Sequence, residues 1–158
     1  MRSRGVDSGA MTDQELLEIA KEQARIGISE GGIPIGGALV TDDGRVLGAG
    51  HNRRVQMDSP IRHGETDALE VAGRQPASVY RKSTMVTTLS PCDMCTGAIL
   101  LYEIQRVVIG ENKTFMGGED YLRSRGVEVV VLDDPECVQM METFIAENPT
   151  LWNEDIGE

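Results

Sequence analysis

The chain has 158 residues, the length of one ordinary domain, and its 40% hydrophobic and 26% charged residues are typical of a soluble globular protein. With 15 basic and 26 acidic residues its net charge is −11, which argues against sequence-independent nucleic-acid binding and against docking on anionic membranes. No apolar run approaches the roughly 20 residues that span a bilayer, and the N-terminus lacks the apolar region of a secretory signal. We therefore expect a cytoplasmic protein with no membrane or nucleic-acid partner.

The predicted elements alternate between helix and strand after an N-terminal extension at 1–11, which shows no periodicity and is expected to be flexible. A capping box at Thr12–Glu15 opens the first helix, and the glycines at 27, 31 and 32 end it. The turn sequence Asp42-Asp43-Gly44 joins two strands in an antiparallel hairpin. The other elements are strands at 35–41, 46–50, 84–89, 106–110 and 127–132, and helices at 63–72, 91–102, 119–125 and 135–148.

This order predicts the fold class. Strands that alternate with helices late in the chain imply right-handed crossovers and parallel pairing, whereas the early hairpin is antiparallel. The run at 127–132 is typical of a strand covered on both faces. We expect one α/β domain at 12–158, a three-layer α/β/α sandwich with a mixed five-stranded sheet.

Candidate metal ligands begin two of the predicted helices. Cys92 and Cys95, three apart on a first turn, can hold one metal ion together with His63 from a neighbouring helix. A Cys₂His set with an open fourth position is the arrangement of a catalytic zinc, and helix N-termini favour the thiolate form that zinc requires. Glu65 lies on the same first turn as His63, where its carboxylate can move the proton of an activated water molecule.

Alternatives exist for each of these residues taken singly. A lone C-x-x-C is compatible with a redox pair or with buried cysteines, but a redox pair does not explain His63 and Glu65. A structural zinc site would need His51 as its fourth ligand, since the chain has two histidines. The combination of H-x-E with a following P-C-x-x-C is far more specific, because it is the signature of zinc-dependent nucleobase deaminases.

Further stretches carry a family resemblance: they lie at 31–37, 46–48, 50–52, 63–65, 87–99, 110–112 and 154–158. Through them the chain, from Ile19 to Glu158, resembles the fungal-type cytosine deaminases of the cytidine and deoxycytidylate deaminase superfamily. The stretch at 154–158 matters because most superfamily relatives lack it. The resemblance implies the cytidine deaminase-like fold, one catalytic Zn²⁺ per chain, a homodimer and a small closed pocket for a free base.

The resemblance also assigns roles to individual positions. It makes His63, Cys92 and Cys95 the zinc ligands, and Glu65 the residue that shuttles the proton.

The resemblance assigns the substrate contacts as well. Asn52 would read the ring carbonyl and the neighbouring N–H, since an amide offers both a donor and an acceptor. The backbone N–H of Gly64 would donate to the same carbonyl, and Asp155 would accept from the amino group. Phe115 and Trp152 would cover the ring, with the tail 149–158 as a lid. The opposite wall is assigned to Ile33.

The predicted function is hydrolytic deamination of a small free base, with cytosine first. Isocytosine, an amino-s-triazine, creatinine and guanine stay open as substrates, because Asp67, the loop 53–62 and a shortened segment after Phe115 depart from the family pattern. An extra carboxylate at Asp67 is expected near the pocket, where it would alter substrate choice. A tRNA adenosine deaminase is disfavoured by the acidic charge, and a cytidine deaminase usually begins its motif with Cys where this chain has His63. A non-catalytic, zinc-stapled binding module is the alternative of another class.

Overall fold

The structure is a computed structural model and describes residues 9–158. Within this part of the chain the helices are α1 (Asp13–Ser29), α2 (Arg54–Met57), α3 (Gly64–Ala72), α4 (Ala77–Arg81), α5 (Asp93–Leu101), α6 (Glu119–Ser124), α7 (Pro135–Glu147) and α8 (Pro149–Asp155). The strands are β1 (Gly36–Thr41), β2 (Val46–His51), β3 (Ser83–Leu89), β4 (Arg106–Glu111) and β5 (Glu128–Val131). None of the helices in residues 9–158 is long and apolar enough to cross a bilayer. The expected extension at 1–11 lies mostly outside the described residues, and Met11 packs against the cluster around α1.

The strands form one five-stranded sheet in the order β2-β1-β3-β4-β5. Strand β1 pairs antiparallel with β2 and with β3, so that Gly37 lies opposite both Gly50 and Thr87. Strand β4 pairs parallel with β3 and with β5. The hairpin and the parallel crossovers are as expected from the sequence, and the mixed five-stranded sheet is confirmed.

Helices cover both faces of this sheet. Along β1, Ala38 and Val40 face a cluster with Leu16 and Leu17 of α1, whereas Leu39 between them faces the opposite side. That second cluster receives the buried residues of the helices α3 to α6. Because successive side chains of a strand point to opposite faces, the three-layer α/β/α sandwich follows directly.

Helix α3 lies unusually close to the β1–β2 hairpin, and glycines allow this approach. A Cβ atom on Gly48 would lie 2.4 Å from the carbonyl oxygen of Ala68, and one on Gly37 would lie 2.9 Å from that of Gly64. A side chain at either position would push α3 away from the sheet. The glycines therefore set the height of the first turn of α3 above β1.

Two details of the predicted elements need correction. Strand β5 was expected to be covered on both faces, and the cover is only partial: Val129 and Val131 pack on one core cluster, but the valines are half-buried and Glu128 is exposed. β5 is also the edge strand of the sheet. A run of valines does not reveal how completely the helices cover each face. The short helices α2 and α4 were not predicted, because their segments show no helical periodicity. Helix α8 lies within the predicted lid.

Candidate active site

The predicted metal ligands meet where α3 and α5 begin. His63 is the N-cap residue of α3, and Cys92 is the N-cap residue of α5. The Nδ1 atom of His63 lies 3.4 Å from the Cys92 Sγ and 3.8 Å from the Cys95 Sγ. For tetrahedral Zn²⁺, bond lengths of about 2.3 Å to sulfur and 2.0–2.1 Å to nitrogen put the ligand atoms about 3.5–3.8 Å apart. The donor set and its spacing therefore fit zinc.

The pKa values of the three metal ligands are shifted in different directions. Hydrogen bonds from Cys95 and from His63 lower the pKa of Cys92 to about 4 despite its burial. The neighbouring Cys92 and burial raise the pKa of Cys95. Burial lowers the pKa of His63, but the Cys92 thiolate and the carboxylates of Asp155 and Glu65 outweigh it and raise the pKa to about 9. Uptake of a metal ion therefore releases protons from His63 and Cys95.

Glu65 is fully enclosed beside the ligands. It is the second residue of α3, and its Oε1 accepts a hydrogen bond of 2.8 Å from the hydroxyl of Thr87 on β3. Burial and the negative charge of Cys92 raise the pKa of Glu65. A carboxyl group with a raised pKa can take up and release a proton closer to neutral pH, as a general acid and base requires.

Asp155 connects the tail to the metal ligands. Its Oδ1 lies 3.3 Å from the Nε2 of His63 and accepts a hydrogen bond of 2.9 Å from the Nδ2 of Asn52. A carboxylate on the far nitrogen holds an imidazole so that its other nitrogen faces the metal. The sequence predicted a substrate contact for Asp155 but not this contact with His63, because nothing local links the tail to that helix. Burial raises the pKa of Asp155.

Asn52 is buried directly after β2. Besides its bond to Asp155, its Oδ1 accepts a hydrogen bond of 3.0 Å from the backbone N–H of Arg54. Both ends of the amide are therefore fixed, which orients one donor and one acceptor in a defined direction.

Apolar side chains narrow the space in front of Glu65. The rings of Phe115 and Trp152 meet edge to face, with centroids 5.9 Å apart. They line a small pocket of 10 Å³, about the room that one water molecule needs. The isoleucines on its wall are Ile35 and Ile156, whereas the predicted Ile33 is buried in the same apolar cluster as Trp152. An open cleft of 490 Å³ adjoins this pocket, bordered by the metal ligands His63 and Cys92 and by residues 154–157.

Two residues that the sequence did not single out hold the cysteine loop in place. The Ser90 hydroxyl donates to Glu119 at 2.6 Å and accepts from the Gly117 N–H at 2.9 Å. The Gly118 N–H donates to the carbonyl of Pro91. These bonds tie the loop before Cys92 to the segment after Phe115. No spacing in the sequence relates Ser90 to Glu119.

Two polar residues near the site have partners that the sequence did not indicate. The ring nitrogens of His51 lie 2.9 Å from Gln23 and 2.6 Å from Glu30, so the alternative of a structural zinc site with His51 as fourth ligand is not supported. Asp67 was expected near the pocket but does not line it. Its carboxylate instead binds Arg53 and Arg62.

Comparisons with known proteins agree with this geometry. Residues 10–111 match the family described as the cytidine and deoxycytidylate deaminase zinc-binding region. A cytosine deaminase of Candida albicans is 56% identical over 92% of this chain and 97% of its own. A tRNA-specific adenosine deaminase of Haemophilus influenzae is 35% identical over 84% of this chain and 82% of its own.

Solved structures share the fold. A structure from work on a guanine deaminase of Nitrosomonas europaea superposes with a TM-score of 0.72 at 23% identity, covering 87% of this chain and 86% of that one. One from work on tRNA:A34 deaminases gives 0.66 at 25% identity, covering 80% and 99%. The cytidine deaminase-like fold is thereby confirmed. With its metal ligands and its matching motifs, the chain belongs to the zinc-binding cytidine and deoxycytidylate deaminase family.

Proposed function

We propose that this chain hydrolyses cytosine to uracil and ammonia. One observation carries the proposal: the metal ligands His63, Cys92 and Cys95 enclose a buried Glu65 in a chain that is 56% identical to a cytosine deaminase over 92% of its length. Zn²⁺ bound by these ligands supplies a Lewis acid that activates water for attack on the amino-bearing ring carbon.

Glu65 performs the proton transfers. Its carboxylate takes a proton from the attacking water and passes it to the adjacent ring nitrogen. Glu65 then carries the remaining proton of the added hydroxyl to the amino group, the C–N bond breaks, and ammonia leaves while the ring carbon keeps the oxygen as a carbonyl. The raised pKa of Glu65 and its hydrogen bond from Thr87 support this role, since the residue must alternate between its two protonation states.

The base is read by groups around the metal ligands. Asn52 binds the ring carbonyl and the neighbouring N–H, the Gly64 N–H donates to the same carbonyl, and Asp155 accepts from the amino group. In support, the side-chain amide of Asn52 donates to the carboxylate of Asp155 at 2.9 Å, and both residues are buried. An uncharged ring that presents a hydrogen-bond donor and an acceptor along one edge would fit such a site.

The tail 149–158 acts as a lid over the base. The open cleft reaches His63 and Cys92, but the pocket of 10 Å³ beside Glu65 cannot admit a pyrimidine, so α8 with Trp152 must move away from Phe115 before the base reaches Glu65. When α8 closes again over the base, it would exclude a ribose attached to the ring. This favours a free base over a nucleoside or a tRNA, as does the net charge of −11.

A non-catalytic zinc module fits the site less well. Such a site uses four protein ligands, whereas the cluster found in residues 9–158 contains three. The fourth position is therefore left to water and substrate.

The same proposal includes a homodimer. The outer layer exposes Val71 of α3, Leu101 of α5 and the adjoining Tyr102, with 72% of Leu101 accessible. A groove of 550 Å³ lies in this region, lined by Leu69, Leu101 and Tyr102 and also by polar residues such as Glu70 and Arg74. Exposed apolar side chains beside polar ones are typical of a protein–protein contact, and a second copy of the chain would cover them.

Replacing Glu65 by Gln tests the chemistry. The amide keeps the size of the side chain but cannot carry the proton, so uracil formation should fall about 10²–10⁴-fold. Zinc content and thermal stability should stay at the level of the unchanged protein. Glu70→Gln, the same change on the exposed face of α3, is the control and should be fully active. An active Glu65→Gln protein would show that another group moves the proton.

A further inference from the structure

Among the side chains of residues 9–158 outside the active site, the carboxylate of Asp67 accepts the largest number of hydrogen bonds. It is fully buried, and its Oδ2 accepts from the backbone N–H of His51 at 3.0 Å and from the Arg53 Nε at 2.9 Å. Its Oδ1 accepts from Arg62 through Nη2 at 2.7 Å and through Nε at 3.2 Å. One carboxylate thus binds the chain at two places that are separated by a whole loop.

These two places flank the residues that the site depends on. His51 and Arg53 lie on either side of Asn52, and Arg62 immediately precedes His63. The backbone N–H of Arg53 also donates to the carbonyl of Arg62 at 2.9 Å, which closes the neck of the loop. Any change in the position of Arg53 relative to Arg62 therefore moves Asn52 relative to His63.

Asp67 itself is anchored to the helix that carries the site. Its N–H donates to the carbonyl of His63 at 2.8 Å, and its carboxylate lies against Gly50, where an added Cβ would come within 2.5 Å. Burial raises the pKa of Asp67, but the hydrogen bonds from Arg62 and Arg53 outweigh it and hold the pKa below its usual value. The group is therefore charged at neutral pH, and both guanidiniums are partly shielded, with 31% and 29% of the side chains exposed.

We propose that Asp67 is a positioning residue, which acts through Arg53 and Arg62 to hold Asn52 and His63 at a fixed separation. It couples binding of the base to retention of zinc. The part that concerns the base rests on the function proposed above, whereas the part that concerns zinc does not. If Asp67 contributed only to the stability of the fold, its replacement would change neither the binding of the base nor the retention of zinc.

The test uses Asp67→Asn in the full zinc-loaded chain. The amide cannot accept from both arginines without placing its own donors against a guanidinium, so the loop should loosen. We expect KM for cytosine to rise about tenfold and zinc loss to dipicolinate to become about tenfold faster. Effects of this size are typical when a residue that supports a metal ligand is replaced. The kcat of the zinc-loaded fraction should change less than about threefold, because Glu65 is not held by the loop.

Asp134→Asn is the matched control. Asp134 is a shielded carboxylate that accepts from the Cys137 N–H at 2.9 Å and from Lys21 at 3.0 Å, away from the site. It should lower the melting temperature and leave KM and zinc loss unchanged. If Asp67→Asn does not fold, Arg62→Gln replaces it, and smaller changes in the same two quantities are expected.

The proposal is overturned if the Asp67 variant, or the Arg62 variant in its place, loses stability while KM and zinc loss stay as in the unchanged protein. A change in only one of the two quantities, or a fall in kcat with KM unchanged, also overturns it. Failure of the unchanged protein to act on cytosine would instead refute the proposed function, and zinc loss would still decide whether Asp67 supports His63.

Discussion

At the scale of single residues, we expect the hydroxyl of Thr87 to lower the pKa of Glu65. This hydroxyl lies 2.8 Å from the Glu65 Oε1 and 2.9 Å from the carbonyl oxygen of Leu89, and donation to the carboxylate would favour the ionised form, whereas burial raises the pKa of Glu65. Thr87→Val removes the donor while keeping the shape, so the pKa of Glu65 should rise further. The acidic limb of the pH–rate profile should then move up by about one pH unit, since activity needs the ionised carboxylate.

The control for this variant is Thr84→Val. Thr84 is also buried in β3, but it lies opposite Arg106 of β4 and Val40 of β1, on the other face of the strand from Thr87. Its profile should match that of the unchanged protein. An acidic limb that does not move in Thr87→Val would mean that Thr87 does not set the charge of Glu65.

The sequence predicts those site residues that share a helix start, and it misses those that are joined across the fold. His63 with Glu65 and Cys92 with Cys95 are close in sequence, and the first turn of a helix brings each pair together whatever the rest of the chain does. Thr87 contacts Glu65 only because β3 lies under α3. The bonds from Asp67 to the loop likewise depend on how that loop folds back, which no local pattern encodes.

At the scale of secondary-structure elements, α8 determines access to the site. Removal of residues 149–158 takes away Asp155 and Trp152 together, so KM for cytosine should rise more than about tenfold through lost hydrogen bonds and contact. Removal of Glu158 alone, which is exposed and does not border the cleft, is the control and should leave KM unchanged. Circular dichroism should confirm that both shortened chains are folded. An unchanged KM after the longer deletion would make the tail a simple packed terminus.

Prediction of the elements succeeded where the hydrophobic pattern is long. Helix α1 begins at the predicted cap, where Thr12 Oγ1 accepts from the Glu15 N–H, and it buries Leu16 and Ala20, one turn apart. Helix α2 has a single turn, and its burial gives no periodicity to detect. For β5, the pattern predicted a strand but could not reveal that the sheet ends there.

At the scale of the whole molecule, the exposed surface of α3 and α5 predicts association. Light scattering of the intact chain at micromolar concentration should give twice the chain mass of 17.2 kDa. Leu101→Glu places a charge in that surface and should shift the protein towards the monomer, since a buried unpaired charge is costly. Ile28→Glu, an exposed apolar residue of α1 in the opposite layer, should remain dimeric. A monomeric intact chain would contradict the proposed dimer.

The proposed function is deamination of a free base under a lid formed by α8. A comparison of ammonia release from cytosine and from cytidine, by the intact, zinc-loaded protein under identical conditions, tests it. We expect rapid release from cytosine and none above background from cytidine, because the proposed closure of Trp152 over Phe115 would exclude the ribose. Efficient deamination of cytidine, or no deamination of cytosine, would contradict it.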